Sequence, residues 1–236
     1  MAIESVLVEL ASQIGYDQIT KEQKATLISQ IRSSASDLTS NPRDHTNGNT
    51  LLLNATMAVA LGIAQNRYGI GDDAGLYLHP LFGDKPHSQL MPLERDNREF
   101  AIVLGMCVRS WEDVFYDICH ESLHLLNPVL IVKGDGGKVS ALEEGVAVKF
   151  AEDMYDTHIR TYCDHIPLTS PINDPSSQYF RAYCAAKKIP DALLKEVRRI
   201  FGRFSDVNDS EKLRYIVTDY LDDEEIRTLI EPFRYP

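Results

Sequence analysis

The run Cys119-His120-Glu121-Ser122-Leu123-His124 places two histidines four residues apart, with a glutamate directly after the first. Side chains at i and i+4 stand one above the other on a helix, so two imidazoles at this spacing converge on one point. Such a pair binds Zn²⁺, and a carboxylate one step around the helix reaches a water on that ion. The chemistry on offer is metal-assisted hydrolysis, with His120 and His124 as ligands and Glu121 as general base.

A catalytic zinc needs a third protein ligand and one position left for water. The extended pattern H-E-x-x-H-x-x-G-x-x-H would supply a third histidine, but Asn127 and Leu130 stand where its glycine and last histidine belong. That excludes the metzincin arrangement. Downstream, Leu142-Glu143-Glu144-Gly145-Val146-Ala147 offers carboxylates at the start of another helix, with Glu144 twenty positions after His124. A helix, a turn and a returning helix bring such a residue back to the first pair.

With H-E-x-x-H followed by Glu-Gly-x-Ala at this interval, the stretch 110–155 resembles the gluzincin metallopeptidases, the group that includes thermolysin and aminopeptidase N. The resemblance implies a zincin-like fold, one Zn²⁺ held by His120, His124 and a glutamate of the second helix, and hydrolysis of peptide bonds. Ser140-Ala141-Leu142-Glu143 reads as a capping box, in which Glu143 turns back to the Ser140 backbone N–H. Glu144 directly precedes the glycine, as in that group, so it is the preferred third ligand and Glu143 the fallback. The resemblance also implies that zinc lowers the pKa of its water to about 7, that Glu121 accepts the proton, and that a Tyr or His donor stabilises the oxyanion.

Tyr183 and Tyr179 share a helix face and are the candidates for that donor, with Tyr155, His158 and His165 in the same stretch. Two features depart from the group. Val148 stands where thermolysin-like enzymes carry an Asp that orients a histidine, leaving Asp117 or Asp153 for that task. The Gly-Ala-Met-Glu-Asn motif of aminopeptidase N-like enzymes is absent; the corresponding strand ends Leu104-Gly105-Met106-Cys107. His45, His79 and His87 sit in polar or strand-end positions and read as ordinary residues, and Cys119 points elsewhere on the metal helix.

The elements that must position these residues are mostly helical. Ile3, Val6, Leu7 and Leu10 recur at helical spacing, and Thr20 with Gln23 forms a capping box before Leu27, Ile28 and Ile31. Asn41-Pro42 and Asn47-Gly48-Asn49 mark a loop, followed by a buried helix from Leu51 to Gln65 that Gly69-Ile70-Gly71 breaks. Leu76–Leu78 is a short strand, and 80–97 reads as a long surface loop. Phe100–Leu104 is the strongest strand, placed either to hold an extended substrate or to lie buried at a sheet centre.

Ser110 and Asp113 cap the metal-bearing helix, which stops at Asn127-Pro128. Val129–Val132 reads as extended and Gly134–Gly137 as a turn. Helices are expected from Ser140 to about Tyr155, and over 176–188, 191–204, 209–220 and 223–230.

Composition narrows the partners. The chain has 24 basic against 35 acidic residues, net −11, which argues against nucleic acid or an anionic membrane surface. Met1-Ala2-Ile3-Glu4 lacks a basic start and Glu9 interrupts the short apolar run, so no secretory signal is expected. The four cysteines, Cys107, Cys119, Cys163 and Cys184, form no C-x-x-C pair. Reduced thiols in the cytoplasm follow as the expectation.

The expected architecture is α+β and predominantly helical: a single zincin-like domain over 1–236, with a small sheet packed on the active-site helices. It comprises an N-terminal helical portion (1–40), a metal-site core (75–160) and a C-terminal helical portion (170–236). The expected function is zinc-dependent cleavage of a peptide or protein substrate, without nucleic acid or membrane. The alternative is a catalytically silent zincin-like binding or regulatory protein.

Overall fold

The computed structural model describes residues 3–71, 76–77, 79–94, 99–129 and 139–234. Among them the helices are α1 (Ile3–Gln13), α2 (Lys21–Ser34), α3 (Asn47–Tyr68), α4 (Trp111–His124), α5 (Ala141–His158), α6 (Gln178–Ala186), α7 (Asp191–Phe201), α8 (Ser210–Val217) and α9 (Asp223–Ile230). The strands are β1 (Leu76–Tyr77), β2 (Leu81–Phe82), β3 (Gln89–Glu94) and β4 (Glu99–Leu104). The chain is α+β and mostly helical. Beyond Val129, the expected extended segment and the glycine turn at Gly134–Gly137 lie outside the described residues, as does Leu78.

The sheet corrects one expectation and decides an open alternative. Part of the stretch read as a surface loop forms β2 and β3. β3 pairs antiparallel with β4, Leu90 opposite Ile102 and Met91 opposite Ala101, and the register shifts between Pro92 and Glu94. Pro92 hid this strand from a reading of the sequence, because proline cannot donate to a ladder and is tolerated only at an edge or a bulge. β1 and β2 pair parallel with the two ends of β4, on its other side. β4 is therefore central and has no edge for a substrate strand to join. The outer edge of β3 carries no strand among the described residues.

The third helix starts earlier than its pattern suggests. Thr46 caps it, and Asn47-Gly48-Asn49, read as loop, forms its first turn. The buried Asn49 amide donates to the Asn41 and Asp44 carbonyls and accepts from the Thr39 N–H, so one side chain stitches the preceding loop to the helix. Gly48 allows this close packing, since a Cβ there would meet the Asp37 backbone at 2.4 Å. α3 ends at Gly69, whose φ of +94° suits glycine.

α4 packs between α3 and α5, α5 in turn packs on α6, and the sheet lies against α4 through β4 and β3. No helix among the described residues is long and apolar enough to cross a membrane. Two contacts fix the layers around the motif helix. The buried Arg198 guanidinium donates to Asn127 Oδ1 at 2.6 and 2.9 Å and to the carbonyls of Tyr68, Gly69 and Ile70 at 3.0, 2.8 and 3.2 Å. One cation from α7 thus closes the carboxyl ends of both α3 and α4, where helix dipoles favour it.

The second contact is at Gly145, where a Cβ would come within 2.6 Å of the Ala182 carbonyl oxygen and 3.1 Å of the Ala186 Cβ. The glycine beside Glu144 is what lets α6 close on α5. Gly145→Ala is expected to cost about 1–3 kcal/mol by forcing α6 away. Urea unfolding checks this, with a lowered midpoint and an unchanged slope.

Candidate metal centre

The start of α4 is fixed as the spacing suggests. Ser110 accepts from the Asp113 N–H, while Asp113 Oδ2 accepts from the Ser110 and Arg109 N–H groups. The Trp111 indole N–H donates to the Thr39 carbonyl at 2.8 Å. With its N-terminus anchored and its C-terminus held by Arg198, the helix presents His120 and His124 side by side, their ring centroids 5.1 Å apart.

His120, His124 and Glu144 come together. His120 Nε2 lies 3.3 Å from His124 Nε2, and Glu144 Oε2 lies 3.4 and 3.6 Å from those two nitrogens. A small tetrahedral ion with bonds of about 2.1 Å sets its ligands about 3.4 Å apart. The triangle therefore already has the dimensions of three corners of such a site. Among the described residues this is the one group of three His, Cys, Asp or Glu side chains close enough to hold a metal ion. The carboxylate forms the floor at 2% exposure, while the His120 and His124 side chains keep 16% and 14%.

Charge is arranged accordingly. Burial opposes ionisation of Glu144, but the two histidines outweigh it and hold its carboxyl well below the usual range. Burial likewise opposes a charge on His124, and the adjacent Glu144 and Glu143 reverse this, lifting the imidazole well above its ordinary value. Glu121, buried on the same helix, is pushed upward chiefly by desolvation, with His120 and His124 acting against that shift.

The expected capping role of Glu143 is not what the structure contains. Ser140 makes no side-chain cap; its hydroxyl donates to the Phe204 carbonyl at 2.6 Å. Glu143 Oε1 instead sits 3.0 Å from His124 Nδ1. Glu144 faces the histidines, while its neighbour supports one of them from behind. The signal for this was present in the two adjacent carboxylates, but the capping-box pattern concealed it.

Asp117, one turn before Glu121, accepts hydrogen bonds from Ser88 and Thr169; burial raises its carboxyl, and these bonds and the nearby His120 oppose that shift. Asp153 is not part of the centre: it pairs with Lys149 at 2.8 Å and Arg67 at 3.5 Å. Tyr179 lies beside the metal group, its ring centroid 6.3 Å from that of His120. It also meets the Phe233 ring edge-on, with centroids 4.5 Å apart. Burial, then the charges of Glu144 and Glu121, raise its hydroxyl above the usual range. Tyr183 faces elsewhere. Burial pushes it to about 12, and the carboxylates acting on it are Glu152, Asp153 and Asp156 rather than those of the metal group.

The remaining candidates have structural partners. The Tyr155 hydroxyl donates to the His165 carbonyl at 3.1 Å, and His165 Nε2 lies 2.8 Å from Asp113 Oδ1. His158 is shifted downward by burial, and Glu9 and Arg67 supply the charges acting on it. His45, His79 and His87 are exposed, and Cys119 is fully buried, which pushes its thiol far above the range of a reactive cysteine.

No family model, curated protein or solved structure matches the chain. The metal centre stands on its geometry alone.

A metal titration followed by calorimetry is expected to show one divalent ion per chain, with affinity reduced more than about 100-fold in His124→Ala. Affinity should rise with pH, because the metal must displace a proton from His124, whose folded value is raised. The metal-free protein should show the opposite sign. The raised His124 stabilises it fully below 6.5 and loses that contribution as pH climbs through the folded value. The lowered Glu144 contributes above 4.5 and loses its part only as pH falls through its own depressed value. Thermal melts of the metal-free protein check both signs, from about pH 5 up to about 9 for His124 and from about pH 5 downward for Glu144.

Proposed function

We propose that this chain is a zinc-dependent peptidase of the gluzincin type. The observation that carries the reading is Glu121. It is a carboxylate buried to 5% exposure, on the helix that carries both histidines and within electrostatic reach of them and of Glu144. A metal kept for structure alone does not need a fourth acidic or imidazole group at that place, whereas hydrolysis needs a base. The partial exposure of both imidazoles above a sealed carboxylate also favours a metal reached from outside.

Two imidazoles and one carboxylate at tetrahedral spacing suit zinc better than the oxygen-seeking cations. Bound there, zinc would supply Lewis acidity and bring the pKa of its water to about 7. His120, His124 and Glu144 would hold it. Desolvation makes Glu121 a stronger proton acceptor than a surface glutamate, so it takes the proton of the attacking water and returns it to the departing amine. The Tyr179 hydroxyl, kept protonated by its surroundings, is the donor for the developing oxyanion. The outer edge of β3 offers backbone groups to an extended peptide.

Cleavage of a mixed peptide library tests the proposal. Zinc-loaded wild type should cut it, Glu121→Gln should lose about 10²–10⁴-fold or more while retaining its metal, and Tyr179→Phe should lower kcat by about 10²–10³-fold. A wild-type protein that binds zinc and cuts nothing would favour the silent zincin-like binding module. An active Glu121→Gln protein with metal retained would remove the base from its assigned role.

A further inference from the structure

We infer that Glu143 is a positioning residue for the metal centre, setting the tautomer and ring orientation of His124. The inference rests on the reading of His120, His124 and Glu144 as metal ligands. An imidazole that binds metal through Nε2 must carry its proton on Nδ1, and a neutral ring in water does not hold that arrangement unaided. Here Nε2 is the atom aimed at the group, 3.3 Å from His120 Nε2 and 3.6 Å from Glu144 Oε2. The opposite nitrogen, Nδ1, lies 3.0 Å from Glu143 Oε1. A carboxylate oxygen only accepts, so Nδ1 carries a proton, and in the neutral ring that a metal requires Nε2 is then the nitrogen with the free lone pair.

Two further observations separate this role from helix capping. The Ser140 hydroxyl that would have engaged Glu143 is committed to the Phe204 carbonyl. Glu143 is itself buried, and its second oxygen, Oε2, has no hydrogen-bond partner among the described residues. A buried carboxylate needs a donor, and the Nδ1–H of His124 is the one this site offers. The two residues Glu143-Glu144 thus divide the work: the second closes the metal triangle, and the first locks the ring opposite it.

The experiment measures Zn²⁺ affinity together with the ¹⁵N shifts of the histidine rings in the zinc-loaded protein. Variants are Glu143→Ala, Glu143→Gln and Ser140→Ala. Loss of the outer partner should weaken zinc binding about 10–100-fold in Glu143→Ala. Glu143→Gln keeps an acceptor oxygen, so the Nδ1-protonated pattern of His124 should persist with less than about tenfold loss. Ser140→Ala should leave both readouts at the wild-type level. Wild-type affinity in both Glu143→Ala and Glu143→Gln would overturn the inference, as would a tenfold loss in Ser140→Ala, which would assign the effect to the helix start. If Glu143→Ala fails to fold, the wild-type ¹⁵N shifts still decide, since a His124 that binds zinc through Nδ1 rather than Nε2 overturns the inference. Failure of the wild type itself to bind any divalent ion would instead sink the metal-centre reading.

Discussion

A helix that buries Asp113, Asp117 and Glu121 in one row, at i, i+4 and i+8, must surround each carboxylate with donors or lose the free energy of taking it out of water. That constraint organises the region around α4. Asp113 is met by backbone N–H groups and His165, and Asp117 by Ser88 and Thr169. Glu121 lies closest to the histidines and remains for the metal group. α5 repeats the pattern with Glu152, which accepts from Tyr116 at 2.8 Å and Ser170 at 2.5 Å, with Arg160 at 3.6 Å. The segment between α5 and α6 is therefore tied to both helices by their acids.

The same need for partners explains how two distant pieces of sequence become one centre. α4 supplies two imidazoles, and α5 supplies a buried carboxylate whose charge those imidazoles stabilise. Each makes the other's charge state tolerable. Gly145 then admits α6 at a distance no side chain would allow, and α6 carries Tyr179 to the flank of His120. Sequence-adjacent Glu144 and Gly145 thus do separate things, one electrostatic and one steric, and both act on the same few ångströms.

Local rules made part of this legible in the sequence. The helix carrying the histidines and both of its capping residues follow from spacing and short-range hydrogen bonding and survive in the structure; Glu144 does lie with the two histidines, but the capping argument that favoured it over Glu143 does not hold. Glu143 was misread because a capping box needs only the local pattern. Whether its partners engage depended on Phe204, some sixty residues away, which takes the Ser140 hydroxyl at a separation of 64. β3 was missed because a proline and a register shift erase the alternation that marks a strand, and Asn47–Asn49 because turn-forming residues also serve the first turn of a helix. The roles of Ser88, Thr169 and Arg198 had no local signature. Each is a single polar residue whose meaning comes from what tertiary packing leaves opposite it.

Arg198 has one more consequence. Its guanidinium joins Asn127 across 71 residues and the Tyr68 carbonyl across 130. The stretch 110–155 holds every residue of the metal triangle, yet it contains none of the donors that hold Asn127 or Asp117. The motif is compact in sequence while its scaffolding is drawn from the whole chain. Excised or grafted onto a foreign two-helix hairpin, the same residues would arrive without the groups that keep α4 in place. The centre is local in composition but not portable.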